Sequence, residues 1–378
     1  MSRIKKIAVI GAGAFGGWTA LHLLRRGARV LLLDAWGPGN PRASSGGETR
    51  IIRGAYGPDQ PYTEMTARAM RLWREHERRW KRRFFHPIGV LFMAADGDDA
   101  WEEGSERMLR DAGIPCKTLS LRAMKRLWPQ VCFDGIDWGL FEPESGYLTA
   151  RAACQAVVEG FMGEGGEYRR AAVVNDDVEE GVEKGLQLSD GSRLKADRYV
   201  FACGPWMGRL FPQTIGDRIR ATQQDVFFFG TPSGDTRFDE KHLPVWADHR
   251  GRFMYGIPGH SGRAFKVADD TRGPEFDPTA GERVVSSDRL RMAREYLEFR
   301  FPGMKKAPLI KGRVCQYEQT PDSHFIIDRH PQSERVWLVG GGSGHGFKHG
   351  PALGELVARH VMGDGEASRG WRLTRFSR

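Results

Sequence analysis

Ile7-Ala-Val-Ile10-Gly11-Ala-Gly13-Ala-Phe-Gly16, continued by Trp18 to Arg26 and then by Gly27 and Val30-Leu-Leu-Leu33-Asp34, is the stretch that decides the fold. Ile7 to Ile10 is a short apolar run suited to a strand buried on both faces. The turn after it has the spacing G-x-G-x-x-G: the first glycine makes the tight bend, the second lets the backbone approach a pyrophosphate, and the third lets the helix pack on the strand. Trp18, Leu21 and Leu24 recur at helical spacing and Gly27 ends the helix, whose N-terminus faces the phosphates. Asp34 closes the second strand, where a carboxylate accepts hydrogen bonds from both ribose hydroxyls and repels a 2′-phosphate. Strand, turn, helix, strand and acid in this order read as a dinucleotide-binding unit, and the motif alone does not separate NAD from FAD.

Outside this unit the chain is long enough, at 378 residues, for two or three compact units. With 40% apolar and 28% charged residues it has the balance of an ordinary globular protein. Its net charge of +9 comes without zinc spacing, a homeodomain-like helix or an RNP-type aromatic run, so nucleic acid is not an expected partner. The densest basic run, Arg71, Arg74, Arg78, Arg79, Lys81, Arg82 and Arg83, reads as a solvated helix face. Five scattered cysteines without a Cys-x-x-Cys fit a reducing compartment and no disulfide framework. Arg3, Lys5 and Lys6 before the uncharged stretch Ile7 to Leu24 imitate a signal peptide or membrane span, but Gly11, Gly13, Gly16 and Gly17 would weaken such a helix. The expectation is a cytoplasmic protein with no membrane partner. His345 and His349 stand four apart without a third ligand, and Gly346 breaks the helix they would need, so no metal is expected.

Further along, Thr63 to Arg79 reads as an amphipathic surface helix, Ile88 to Met93 as a strand and Asp96 to Met124 as two helices. Ala152 to Phe161 is a core helix leading to a strand around Ala171 to Val174, and Asp197 to Gly204 is a strand ending in a glycine turn. The runs Asp225-Val-Phe-Phe-Phe-Gly230 and Arg252-Phe-Met-Tyr-Gly256 suggest an antiparallel sheet. After Cys315 the α/β style returns with Phe325 to Asp328, Val336 to Val339, the loop Gly340 to Gly346 and a helix opening at Pro351.

Several separate motifs, in order and nearly end to end, resemble the sarcosine oxidase and N-methyl amino acid oxidase group of FAD-dependent amine oxidases, within the D-amino-acid-oxidase-like superfamily. They are the glycine turn, Thr49-Arg50-Ile-Ile-Arg53 with Ala55-Tyr-Gly57, Phe141-Glu-Pro-Glu-Ser-Gly146, Cys203-Gly-Pro-Trp206, Cys315 with His324-Phe-Ile-Ile-Asp328, and Gly344-His-Gly-Phe-Lys348. The resemblance implies an α/β fold: a Rossmann-type FAD-binding domain, discontinuous over residues 1–87, 150–222 and 320–378, with a second α+β substrate domain. That second domain, from residues 88–149 and 223–319, is expected on a mixed, largely antiparallel sheet.

The resemblance also assigns roles. Cys315 matches the cysteine that forms a thioether to the flavin, although a lone cysteine is most often an inert buried thiol. Asp34 matches the ribose contact, Val174 the adenine contact, and Thr49 and Arg50 the flavin's neighbours, with Gly11, Gly13 and Gly16 in the turn. Cys203, Gly204 and Trp206, and the loop Gly344, His345, Gly346 with Lys348, complete the expected cofactor set. Lys266 matches the lysine that promotes reaction of reduced flavin with oxygen, a step suited to a fixed positive charge. Arg53 and Lys348 match the pair that holds the substrate carboxylate, and Tyr255 and Tyr317 the aromatic residues of the same cavity.

Gly46, Pro58 and Asp270 depart from the family pattern, standing where it has a histidine near the flavin, an acid supporting the carboxylate-binding arginine, and a second active-site histidine. Asp270 would suit a cationic or polyhydroxylated substrate group, as in fructosyl amino acid oxidases with an acid at that offset, unless it is solvated beside Asp269. The expected function is a monomeric FAD-dependent oxidase of an amino acid or sarcosine-like secondary amine, producing hydrogen peroxide from O2. The alternatives are a deglycating fructosyl amino acid oxidase and a flavin dehydrogenase passing electrons to a protein or quinone.

Overall fold

In a computed structural model, which describes residues 6–174, 178–260, 262–365 and 368–376, the strand Lys6–Ile10 lies between Arg29–Asp34 and Arg198–Phe201 inside a six-stranded sheet. Arg3 and Lys5 of the leader-like segment lie outside the described residues. Glu167–Arg170 extends one edge of the sheet, and Ser333–Gly340 with Ile326–His330 the other. All neighbours are parallel except the last two. Ile7, Ala8 and Val9 are fully buried, as a strand covered on both faces requires. The helices Ala14–Arg25, Gln60–Trp80, Ala150–Gly163 and Gly350–Met362 cover one face through Trp18, Trp73, Val157 and Leu353. On the other face Ile10, Leu33 and Phe201 pack against Val182 and Phe211.

A second sheet has eight strands in the order Leu309–Gln319, Arg220–Phe229, Phe265–Asp269, Met254–Ile257, Val245–Asp248, Val90–Ala94, Trp138–Glu142 and Lys117–Ser120. It is antiparallel throughout except between Val245–Asp248 and Val90–Ala94, the mixed sheet expected from the sequence. The helix Ser287–Arg300 is fixed to it by Arg300, wholly buried, whose guanidinium pairs with Asp248 at 2.7 Å. A third, three-stranded sheet of Thr49–Ile52, Gly146–Thr149 and Phe85–His86 links the two large ones.

Two elements differ from the sequence reading. The apolar run Ala171 to Val174 is not a strand; pairing stops at Arg170, and only Val173 makes an isolated bridge, to Leu188. Ala171, Ala172 and Val173 line a cleft, with Ala171 and Val173 also packing on the core around Ile10 and Leu33. Between the helices Ala100–Asp111 and Leu121–Leu127 runs the short strand Lys117–Ser120. Its residues are largely exposed at the end of the sheet, where polar and charged side chains suit an edge and hide the strand pattern. The basic helix face is an ion-paired surface, with Arg74 to Glu144 at 3.0 Å and Arg79 to Glu164 at 3.1 Å. No described helix is long and apolar enough to cross a membrane.

Candidate active site

Strand register builds the first wall of the site. Gln224 stands opposite Cys315 and Thr222 opposite Tyr317 on one ladder, Phe228 opposite Lys266 on the next, and Tyr255 opposite Ala268 on a third. Cross-strand partners share a face and side chains alternate with period two. Cys315, Tyr317, Lys266 and Tyr255 therefore project from the same face of the eight-stranded sheet. Asp270 keeps the parity of Lys266, with its N–H donating to Phe253 O at 2.8 Å. Its side chain faces the cavity, where the Tyr317 hydroxyl donates to Asp270 Oδ1 at 2.7 Å. The neighbouring Asp269 turns the other way, to Arg252 at 3.0 Å. Asp270 thus carries its carboxyl into the cavity, while Asp269, at the cavity wall, is held in an ion pair with Arg252.

The opposite wall comes from Arg50 on Thr49–Ile52, Arg53 just beyond that strand, and Lys348 in the short turn Phe347–His349. Arg50 donates to Thr49 O at 2.8 Å and to Ser44 O, and its Nη2 lies 3.3 Å from Cys315 Sγ. Arg53 donates to Ala55 O, and Lys348 Nζ to His345 O at 2.8 Å. The bend carrying Arg53 is held by Glu142, fully buried, which accepts from Gly54 N at 2.7 Å, Ala55 N at 2.9 Å and the Ser145 hydroxyl. Burial pushes the Glu142 pKa up, while these donors and the charge of Arg53 oppose the shift. Glu142 thus holds the backbone that follows Arg53, whereas Pro58 is exposed. In the sequence Glu142 was visible only as part of a motif.

These residues enclose a cavity of about 70 Å³ lined by Arg50, Arg53, Tyr255, Lys266, Asp270, Cys315, Tyr317, Gly344, His345 and Lys348. Its cations are poorly solvated. Burial, aided by the charges of Arg50 and Arg313, brings the Lys266 pKa down to about 7, and burial with Arg53 brings that of Lys348 well below its usual value. Two further carboxylates at the wall are engaged elsewhere, Asp225 with Ser286 N and Asp269 with Arg252. A cavity so charged is complementary to a small anion.

A larger cleft of about 220 Å³ adjoins it and shares Arg50, Tyr317, Gly344 and Phe347 with it. Gly11, Gly13, Asp34, Cys203, Gly204, Trp206 and Gly346 line this cleft, at the C-terminal ends of the central strands where the sheet changes direction. Gly11 has φ +103°, and a Cβ there would fall 2.3 Å from Ala202 O. Gly16 is not a cleft residue: a Cβ there would lie 1.8 Å from Gly11 O, so its part is helix–strand packing. The helix Ala14–Arg25 starts without a side-chain cap on Gly13, leaving its N-terminus toward the cleft. Asp34 accepts from Ala12 N at 2.8 Å, Trp36 N at 2.9 Å and Gly37 N at 2.7 Å, and burial raises its pKa against these bonds. Val174, expected beside the adenine, does not line the cleft. It is 46% exposed, and Ala171, Ala172 and Val173 line the cleft in its stead. Thr49 is buried behind Arg50, and the His345 ring is taken up by the Tyr56 hydroxyl at 3.0 Å and Ser323 O at 2.9 Å.

The donor set fits FAD. Ser44 Oγ and Glu318 Oε2 are buried at the cleft without a hydrogen-bond partner among the described residues. Glu318 is the sharpest case, held by the Gly341 and Gly342 N–H groups with its pKa pushed by burial up to about 7. A hydroxyl-rich ligand running from the Gly11–Gly13 turn to the cationic cavity supplies what such atoms lack. Its sequence position, three residues after Cys315, carried no signal because Glu318 becomes a cleft residue only through the loop beginning at Gly340.

A family model described as FAD dependent oxidoreductase matches residues 6–360. Monomeric sarcosine oxidase of Bacillus sp. (strain B-0618) is 29% identical over 367 residues, 96% of this chain and 93% of that protein. N-methyl-L-tryptophan oxidase of Yersinia pestis (strain Pestoides F) is 28% identical over 360 residues, 93% of each. Among solved structures, L-proline dehydrogenase from P. horikoshii superposes with a TM-score of 0.85 at 20% identity, covering 100% of this chain and 98% of that one. The deglycating fructosamine oxidase Amadoriase II from Aspergillus fumigatus gives 0.77 at 21% identity, with 99% and 90% covered. The structural likenesses carry the fold.

Proposed function

The chain belongs to the family of FAD-dependent oxidoreductases, and from that premise we propose that it oxidises an amino acid or sarcosine-like N-substituted amino acid beside the nitrogen, with O2 as acceptor and hydrogen peroxide as product. The observation that supports this is the presence of Arg53 and Lys348 in one cavity with Tyr255, Lys266 and Tyr317. Arg53 grips the substrate carboxylate with its guanidinium fork and Lys348 adds a point charge. With that end fixed, Tyr255 and Tyr317 flank the amine, which binds in its neutral form. FAD, when bound, would supply the two-electron redox chemistry that oxidises the carbon next to nitrogen, with O2 as final acceptor and the resulting imine hydrolysed by water. Lys266 holds a positive charge where oxygen gains negative charge. In the cleft, Asp34 would hold the ribose, the Gly11–Gly13 turn the pyrophosphate, and Ala171 to Val173 the adenine.

The test is anaerobic mixing of the holoenzyme with N-methyl, cyclic, basic and fructosyl amino acids, followed by admission of air. Bleaching by at least one of them and stoichiometric peroxide are expected; no bleaching by any would sink the amine reading, and bleaching without peroxide would make the protein a dehydrogenase. Asp270 in the cavity favours a second reading, a fructosyl amino acid substrate, whose hydroxyls it would accept. On that reading Asp270→Asn lowers kcat/KM for the fructosyl substrate by about tenfold or more and leaves N-methyl glycine nearly unchanged.

Cys315 Sγ borders the active cavity beside the Arg50 guanidinium, an electropositive setting of the kind reactive cysteines occupy. We take it as the point of covalent attachment. Acid-precipitated protein should stay yellow, and Cys315→Ala should release its colour to the supernatant; a colourless wild-type pellet rules the linkage out.

A further inference from the structure

Tyr56 has no part in the roles given so far, yet it touches both cations of the carboxylate pair. Its side chain is 7% exposed. The Arg53 guanidinium carbon lies 4.5 Å from the centroid of its ring, and Lys348 Nζ lies 4.8 Å from the same centroid. Both distances are within the range in which the negative face of an aromatic ring attracts a cation. Phe92 and Trp101 also flank Arg53, at 5.8 and 5.6 Å, but Lys348 Nζ lies over the Tyr56 ring. The backbone acceptors are likewise separate, Ala55 O for Arg53 and His345 O for Lys348. Among these groups the Tyr56 ring is the one in contact with both.

The ring is itself held in place. Its hydroxyl is hydrogen-bonded to His349 Nε2 at 2.7 Å and to His345 Nδ1 at 3.0 Å, and Tyr62 stacks on it at 5.1 Å. Burial, with the charge of Lys348, lowers the pKa of His345 to about 3 and that of His349 well below its usual value, so both imidazoles are neutral. The hydroxyl is therefore anchored by uncharged partners, and the ring acts on the two cations through its π face, beside the attraction that the Asp270 and Glu142 carboxyls exert on both from further off. Two like charges on one buried wall repel each other, and a surface common to both offsets that repulsion and sets their spacing.

We propose that Tyr56 is a positioning residue for the substrate carboxylate, its ring holding Arg53 and Lys348 together so that one carboxylate meets both. The inference rests on the reading of Arg53 and Lys348 as the carboxylate pair.

The test keeps the ring's size and changes its charge distribution. Phenylalanine and its mono-, di- and trifluorinated forms are placed at position 56 of the holoenzyme, and propionate, a carboxylate without an oxidisable amine, is titrated by its effect on the flavin absorption. Tyr56→Phe should bind propionate within about threefold of wild type, and the trifluoro form about tenfold or more weaker, with a graded rise in Kd between them. At saturating substrate kcat should stay nearly constant along the series while KM rises, a split that loss of packing alone does not produce. A flat Kd across the series overturns the proposal. Arg53→Met separates the two levels of the argument: if it abolishes propionate binding while the fluorine series is flat, Tyr56 alone is misassigned. If Arg53→Met also binds propionate normally, the carboxylate pair itself is wrong and the Tyr56 proposal falls with it.

Discussion

Replacing Lys266 with methionine is expected to slow the reaction of the reduced holoenzyme with oxygen by about two to three orders of magnitude, the size typical of removing one preorganised charge or donor from a reaction centre. Reduction of the flavin by substrate should change by less than about tenfold, because Lys266 is assigned to the oxygen step. Methionine has nearly the length and volume of the lysine stem, so the packing of this 3% exposed side chain against the Tyr255 ring, with Nζ 5.0 Å from its centroid, is largely kept. Stopped-flow reoxidation measures the first rate and anaerobic reduction the second. An unchanged reoxidation rate would remove Lys266 from the oxygen step.

The pH dependence has a definite sign. The Lys266 pKa is lowered to about 7, chiefly by burial and then by Arg50, so the ammonium is present below that pH and is lost as pH rises through it. Reoxidation by wild type should accordingly fall on the alkaline side, and the methionine variant should show no such fall. A parallel pH profile in both proteins would mean that another group carries the effect.

How far the site was legible in the sequence depends on how each residue reaches it. The turn Gly11 to Gly16 and Asp34 were readable because the strand, bend and helix that use them are contiguous, although only Gly16 answers to a close approach within that unit, to Gly11 O, while Gly11 is crowded by Ala202. Cys315, Tyr317, Lys266 and Tyr255 were recognised by resemblance, and strand register supplies the physical reason they lie together, since cross-strand partners at even spacing share one face. Asp269 and Asp270 show the limit. Either could have faced the cavity until the ladder to Met254 fixed the parity, and Val174, expected beside the adenine from resemblance, is exposed while Val173 lines the cleft. Glu142 and Tyr56 were hidden for another cause: their partners are remote in sequence, Ala55 lying 87 and Gly54 88 positions from Glu142, and His345 and His349 lying 289 and 293 from Tyr56. No periodicity encodes such a contact. The fold class was readable from blocks of pattern, whereas the edge strand Lys117–Ser120 was lost because exposure at the sheet edge erases the alternation that marks a strand.

Replacing Arg53 with methionine is expected to cost about 30- to 3,000-fold in kcat/KM for an amino acid substrate, the range for breaking one buried charge pair. Because Arg53 holds the end of the substrate that does not react, the loss should fall mainly on KM, and an amine of the same shape without a carboxylate should lose little. That comparison separates carboxylate binding from general damage to the cavity, which would slow both substrates alike. Arg53→Lys is expected to recover only part of the loss. Its Nη1 donation to Ala55 O and its place over the Tyr56 ring use the planar fork, and an ammonium in the same spot supplies charge without the fork's two parallel donors. If the lysine variant restored full kcat/KM, charge alone would be sufficient at position 53. The geometry built around Arg53 by Glu142, Ala55 and Tyr56 would then be excess to the binding of the carboxylate.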